Sequence, residues 1–299
     1  MTVDGLIVID KPAGLTSHDV VRRVRRALGL RRVGHGGTLD PDATGVLLVA
    51  AGQATRFFPF LSKEDKVYEG RIRLGLETDT YDASGRPVTE PSTTFPDRPA
   101  LLAAMKGFEG EILQVPPRFS AKKVDGRPGY KRARAEEEFE LKPVPVRIAR
   151  FVLRDYRPPD VDFEAACSAG TYVRSLAHDL GRNLGCGAHL ASLRRTSAGE
   201  YGLAEAVPLG AFEDAAAGGE AGRFIRPLEK LLAWAPALTV GPEAAAYVRN
   251  GRPIGPDALG APLPEAGTGL VRLFSEDGRL LGLARPAPDG TLHPFLVIN

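Results

Sequence analysis

The chain reads as an α+β protein with a small β-rich C-terminal part, and three features of its pattern carry that reading. Strand-like apolar stretches occur at Gly5–Asp10, Lys66–Gly75 and Val161–Cys167. Between them lie stretches with apolar residues at helical spacing, from Thr16 to Gly29, from Pro99 to Phe108 and from Val173 to Leu184. A two-residue period suits a half-buried strand, whereas i, i+3, i+4 spacing gathers apolar side chains on one stripe of a helix. Beyond Pro227–Ala233 proline and glycine rise, and short strands at Gly269–Phe274, Leu280–Ala284 and Phe295–Ile298 are separated by Asp277-Gly278 and Asp289-Gly290. Asp-Gly pairs of that kind are hairpin turns. The 299 residues have room for one large domain and one small one, read as 1–232 and 233–299.

Composition sets limits. The hydrophobic and charged fractions, 43% and 25%, are those of an ordinary globular protein. A net charge of +2 is too small to demand a nucleic-acid partner, although clustering matters more than the sum. Two cysteines, Cys167 and Cys186, exclude a disulfide scaffold and fit a reducing cytoplasm. Residues 1–5 carry no basic, apolar leader pattern, and no apolar run approaches the roughly 20 residues of a membrane span. The five histidines show no zinc-type spacing with the cysteines, so no metal is expected.

Taken in order, Gly5–Asp10 is a buried strand ended by the breakers Lys11-Pro12-Ala13-Gly14. Thr16 or Ser17 caps a helix whose stripe is Val20, Val21, Val24, Ala27 and Leu28, closed by Gly29. Its other face holds Arg22, Arg23, Arg25 and Arg26, with Arg31 and Arg32 beyond, and suits either phosphate contact or plain solvation. An aromatic connection, Thr55–Leu61 with Arg56, leads to the strand at Lys66, where Tyr68, Gly70, Ile72 and Leu74 share a face. Tyr68 alone would be a core tyrosine. Gln114–Arg127, with Lys123, is basic and breaker-rich, and Tyr130–Ala135 adds three more cations, a composition suited to RNA contact or to a mobile surface loop. In Val173–Leu184, Arg174 falls in the first helical turn, where the macrodipole disfavours a cation, so a carboxylate or phosphate partner is expected. Ala215–Glu220 reads as small and flexible.

The densest stretch is Gly34–Leu48, with four glycines, His35, Asp40, Asp42 and Pro41 within fifteen residues. Glycines permit close approach of backbone and positive φ, and Pro41 pushes Asp40 into an extended conformation. On residue types alone, Asp40 would cap a short helix with Pro41 at its first position. Neither phosphate-loop spacing, G-x-x-x-x-G-K-[ST] nor G-x-G-x-x-G, is present.

GHGGTLDPDATGVL resembles the G-H-x-G-x-L-D-P-x-A-x-G-x-L signature of the TruB family, the bacterial pseudouridine synthases acting on the T-loop uridine of tRNA. The opening D-K-P-x-G-x-T-S, which includes Lys11, is similar to the start of that family, and K-x-Y-x-x-x-x-x-L-G at Lys66 to its tyrosine motif. So are P-P-x-[FY]-S-A-x-K-x-x-G from Pro116, C-x-x-G-T-Y-[VI]-R-[ST]-L-x-x-D-L-G from Cys167, and G-x-x-A-H-L-x-x-L-R-R-[TS] around Leu193. The resemblance covers nearly the whole chain. It implies an α+β fold with a mixed, largely antiparallel bisected sheet, flanking helices, an RNA-contacting insertion at about 114–145 and a C-terminal β-barrel of the PUA type. It implies conversion of the uridine at position 55 of tRNA to pseudouridine, with no cofactor, no metal, no membrane and no protein partner, by a cytoplasmic monomer. Asp40 would be the catalytic carboxylate, Arg174 its partner and Tyr68 the ring stacked on the base, able to help remove the C5 proton. His35, Tyr172, Leu193, Lys11, Arg56 and Lys123 would contact substrate. Two other classes fit parts of the pattern: a glycosidase pair of Asp40 and Asp42, and a non-catalytic RNA-binding or RNA-folding module.

Overall fold

The structure is a computed structural model that describes residues 3–120, 122–124, 126–135, 137–259 and 269–298. In chain order its strands begin with β1 (Gly5–Lys11), β2 (Val33–Gly36), β3 (Thr44–Ala51), β4 (Lys66–Leu74) and β5 (Gly110–Gln114). The small hairpin β6 (Lys123–Val124) and β7 (Arg127–Pro128) stands apart. Then come β8 (Val144–Arg157), β9 (Asp160–Cys167), β10 (Ala188–Ala198), β11 (Tyr201–Gly202) and β12 (Val207–Pro208). Apart from β6 and β7 these form one ten-stranded sheet in the order β12-β1-β3-β10-β4-β9-β8-β5, with β2 on β3 and β11 on β10.

The sheet is bisected at one seam. Antiparallel β10 and β4 run together from Ala188–Leu74 to Ala198–Lys66, but β3 and β10 meet in parallel only at Thr44–Arg194 and Gly45–Arg195. Gly45 makes that contact possible: its φ is +97°, and a Cβ there would lie 2.1 Å from the Arg195 carbonyl oxygen. Only glycine tolerates both conditions.

Both faces of the central strands are covered, which is why β1 is a continuous apolar run rather than an alternating one. Ile7, Ile9, Leu47 and Val49 pack with Val20, Val21 and Val24 of helix α1 (Ser17–Leu28). Thr16 caps α1 in a reciprocal box with Asp19, and Gly29 ends it at φ +64°. Leu6, Val8, Val46 and Leu48 face the other way, onto Phe57 and onto Leu61 of the short helix α2 (Phe58–Leu61). Helix α3 (Arg98–Lys106) is capped by Asp97; α4 (Gly129–Arg134) follows the hairpin, and α5 (Val173–Asn183) buries Leu176, Ala177 and Leu180 in the first layer. Among the described residues no helix is long and apolar enough to cross a membrane.

Two sequence readings change. Asp40 caps no helix: Asp40–Ala43 is a turn closed by the Ala43 N–H on the Asp40 carbonyl at 3.2 Å. The following Thr44–Ala51 runs into the sheet, so no helix follows. Nor is Ala215–Ala217 irregular, because it completes helix α6 (Leu209–Ala217), where alanine propensity and buried Phe212 outweigh the flexible composition.

The C-terminal part is a four-stranded sheet, β13 (Ala237–Val240), β14 (Val271–Ser275), β15 (Leu280–Pro286) and β16 (Leu292–Val297), in that spatial order. Among the described residues these strands form an open row, and Ile254 bridges to Leu292 on β16. Helix α7 (Pro242–Arg249) covers one face through Ala244, Ala245 and Val248, and α8 (Pro256–Leu259) follows it.

Candidate active site

A cleft of about 240 Å³ opens beside the seam, walled by Asp40 from the loop before β3, Tyr68 from β4, Tyr172 and Arg174 from the start of α5, and Leu193 and Arg195 from β10. The loop that presents Asp40 is fastened on both sides. Leu39 is buried, its N–H donates to Ser17 Oγ at 2.8 Å, and its carbonyl accepts from that hydroxyl at 3.1 Å. The Pro41 carbonyl accepts from Lys11 Nζ at 2.8 Å and from the Gly14 N–H at 2.9 Å.

Arg174, only 5% exposed, grips Asp40 with two donors, Nε at 2.9 Å from Oδ2 and Nη2 at 3.2 Å from Oδ1. Its Nη1 also donates to the Thr80 carbonyl and its Nη2 to the Phe119 carbonyl, each at 2.9 Å, and Asp82 Oδ2 lies 3.6 Å from Nη1. This is the anionic partner that a cation in the first turn of α5 demanded. The Asp40 side chain keeps 42% of its surface, which lines the cleft, and the rest is enclosed by protein. Burial therefore pushes its pKa above the ordinary carboxylate value; Arg174 pulls it back, Asp82 adds to the rise, and Lys11 opposes it.

Tyr68 is buried on the inward face of β4, as its alternation with Ile72 and Leu74 requires. Burial raises its phenol pKa, and the neighbouring Arg195 charge works against that rise. Tyr172 occupies the N-cap position of α5, where Gln114 holds its backbone: Oε1 accepts the Tyr172 N–H at 2.8 Å and Nε2 donates to its carbonyl at 3.1 Å. Leu193 reaches the cleft from β10.

Four further expected contact residues lie elsewhere or are not described. Lys11 has no exposed surface and donates to the carbonyls of Pro12, Leu15 and Pro41 at 2.6–2.9 Å. It braces the Asp40 loop instead of facing substrate, and burial lowers its pKa to about 8. His35 sits in β2 opposite Val49, outside the cleft lining; its Nδ1 is buried without a hydrogen-bond partner, and burial lowers its pKa. The glycines flanking it admit the Phe58 ring, since a Cβ on Gly36 would lie 2.9 Å from that ring. Arg56 donates to the Val297 carbonyl and so ties the connection after β3 to the C-terminal sheet, away from the cleft. Lys123 belongs to β6 by its backbone, and its side chain lies outside the described residues.

Lys66, Asp82 and Arg195 also stand at the site, although no role for them was expected from the sequence. Arg195 is 1% exposed, with Nε 2.7 Å from the Val46 carbonyl and Nη2 3.1 Å from that of Gly37. Its neighbour Arg194 points the opposite way and pairs with Asp10 at 2.8 Å. Strand alternation in Leu193–Thr196 was the available signal, because it forces one of two adjacent arginines inward. Among the described residues no group of three or more His, Cys, Asp or Glu side chains could hold a metal ion.

Comparison with known proteins gives the family. The sequence profile of the TruB family pseudouridylate synthase N-terminal domain matches residues 25–173. That of the tRNA pseudouridylate synthase B C-terminal domain matches 174–233, and that of the pseudouridine synthase II TruB C-terminal region matches 236–298. The chain is 41% identical over 297 residues to tRNA pseudouridine synthase B of Solibacter usitatus, covering 99% of this chain and 100% of the relative. It is 49% identical over 253 residues to that of Dinoroseobacter shibae, covering 84% and 83% of the two chains. Among solved structures, a chain of an H/ACA RNP bound to a substrate RNA containing 2′-deoxyuridine superposes with a TM-score of 0.74 at 26% identity, covering 99% of this chain and 85% of that one. A chain of a Cbf5–Nop10–Gar1 complex gives 0.72 at 27% identity, covering 99% and 84%.

Proposed function

The chain belongs to the TruB family of pseudouridylate synthases, and from that premise we propose that it converts the T-loop uridine at position 55 of tRNA to pseudouridine. The observation that carries this reading is the two-donor grip of buried Arg174 on Asp40 at the wall of a cleft shared with Tyr68, Tyr172 and Leu193. A base inside a folded T-loop is out of reach, so it is flipped into the cleft at a cost of roughly a few kcal/mol. Stacking on Tyr68 offsets about 1–3 kcal/mol of that.

Arg174 favours the ionised form of Asp40 in a place where burial favours the neutral acid. The carboxylate then acts on the sugar or base as nucleophile, or removes a ribose proton. The C1′–N1 bond breaks, the base turns, and C5 bonds to C1′ with loss of its proton, a step in which the Tyr68 hydroxyl assists. The C-terminal sheet, with a boundary near 233, and the basic segment at about 114–145 are read as the parts that hold the tRNA outside the cleft. The glycosidase reading lacks its pair, since Asp42 is an exposed turn residue and the second carboxylate at Arg174 is Asp82. A purely RNA-binding module leaves the buried Arg174–Asp40 pair without a purpose.

The test is incubation with an unmodified tRNA transcript and mapping of pseudouridine. Wild type is expected to modify position 55 alone in the T-loop. Asp40→Asn is expected to abolish turnover with tRNA affinity within a few-fold of wild type. Product from the mutant at a comparable rate would remove Asp40 from the reaction.

A further inference from the structure

Among the described residues, two buried cations in the cleft make no ion pair. Arg195 is 1% exposed and Lys66 6%, and both line the cavity that holds Asp40. Arg195 donates to the carbonyls of Val46 and Gly37, and Lys66 Nζ to those of Ser62, at 2.7 Å, and Glu64. Among the described residues neither makes an ion pair, whereas Arg174 across the cleft has both Asp40 and Asp82. The two converge beneath Gly37: the position of a Cβ on that residue is 3.4 Å from Arg195 Nη1 and 3.9 Å from Lys66 Cε. Tyr68 stands among them, two residues from Lys66 on the same face of β4 and in register with Arg195 on β10. Carbonyl dipoles satisfy the donors but leave the net charge in place, and two like charges buried side by side are costly without a counter-charge.

We propose that Lys66 and Arg195 form an anion-stabilising floor for the detached pyrimidine during isomerisation. This rests on the pseudouridine-forming reading above. When the C1′–N1 bond breaks, its electron pair leaves with N1, and the base becomes a uracil monoanion with charge spread over its ring nitrogens and carbonyl oxygens. Asp40 loses its own charge in the same event, by bonding to C1′ or by taking a ribose proton. Negative charge therefore moves from the Arg174 side of the cleft to the base, whose seat on Tyr68 lies beside Lys66 and Arg195. When C5 attacks C1′, the anion's electron pair forms the new bond, and Asp40 regains its charge as leaving group or by returning the ribose proton. C5 then gives up its proton, N1 takes one up, and the base is neutral. The assignment holds for both routes in which Asp40 acts on the sugar, because both release the same anion; it does not extend to attack on the base itself. A fixed cation pair of this kind stabilises charge that exists only during reaction.

A backbone phosphate of the bound tRNA is the other anion that would suit the pair, and kinetics separate the two. The experiment uses the full chain with Lys66→Met and tRNA carrying uridine or 5-fluorouridine at position 55. Fluorine makes N1 more acidic, so that base leaves with less need of stabilisation. Single-turnover loss of the N-linked nucleoside is measured beside tRNA affinity and its salt dependence. The expected result is a fall of ~10²–10³-fold with uridine, a clearly smaller fall with 5-fluorouridine, and unchanged affinity. The ratio between substrates cancels any loss of folded enzyme. Equal falls for both substrates would overturn the proposal in favour of a structural role. Weaker binding with a shallower salt slope and an unchanged rate of bound RNA would overturn it in favour of a phosphate contact. Failure of wild type to form pseudouridine from uridine would instead sink the functional reading.

Discussion

Burial and Arg174 pull the Asp40 pKa in opposite directions, and that balance has a measurable pH signature. Burial raises its pKa above the ordinary 3.8, so the acid limb of kcat/KM should lie above that value. Arg174 favours the ionised form, so removing it raises the pKa further. Arg174→Met is therefore expected to shift the acid limb of kcat/KM to higher pH, and a limb that stayed in place would show that the pair does not tune Asp40. Tyr68 allows a second separation of roles. Tyr68→Phe keeps the stacking face and is expected to cost ~10²–10⁴-fold in single-turnover product if the hydroxyl moves the C5 proton, with RNA binding nearly unchanged. Tyr68→Leu should also weaken capture of the base. Normal turnover in both would reduce Tyr68 to core packing. At this scale the sequence was most readable where a residue broke a local rule. Arg174 opposed the helix dipole, and its partner was found. Lys11 broke no such rule: nothing in its neighbours showed that its ammonium turns inward onto three carbonyls instead of toward substrate.

Among elements, α1 shows how a pattern that is right about structure can mislead about charge. Its cap, stripe and closing glycine were all legible from spacing. The arginine face, however, is partly spent inside the protein. Arg22 pairs with Asp19, Arg23 with Glu213 of α6, and Arg25 donates to the Val33 carbonyl at 3.1 Å. Glu213 lies 190 positions away, so no local reading of the helix reveals it. Arg26 and Arg31 are exposed and, among the described residues, make no side-chain hydrogen bond or ion pair. If α1 meets phosphate, those two carry the interaction. Replacing both with glutamine should lower the slope of log affinity against log salt by about 0.7–0.9 for each phosphate no longer neutralised. An unchanged slope would return the face to simple solvation. The parallel pairing of β3 with β10 was equally invisible, since a contact between strands so distant in the chain leaves no mark in local periodicity.

On the scale of the whole molecule, the sequence suggests a separable C-terminal unit, but the packing argues that it and the catalytic sheet share a core. Leu270, Leu280, Leu283 and Leu296 join Leu6, Val8, Val46 and Leu48 in one buried cluster. Arg272 Nε donates to the Ala235 carbonyl at 2.9 Å, Arg56 reaches the Val297 carbonyl, and the Phe60 and Phe295 rings lie 5.9 Å apart. Full burial of a leucine is worth about 1.5–3 kcal/mol. Four of them represent ~6–12 kcal/mol, and even half of that at the junction is comparable to the whole stability of many domains, roughly 5–15 kcal/mol. A chain ended near Trp234 would also bare the face of β1 and β3 that this cluster covers. The expected outcome is a fragment with a markedly lower melting temperature and a tendency to aggregate, whose loss of activity on an isolated T-stem-loop tracks its loss of folded protein. Leu283→Ala in the full chain is the gentler probe. It should cost about 2–5 kcal/mol in denaturant unfolding and unfold both parts in one transition. Two separate transitions, or a truncated enzyme as stable as the full chain, would show that the C-terminal sheet is an independent unit after all.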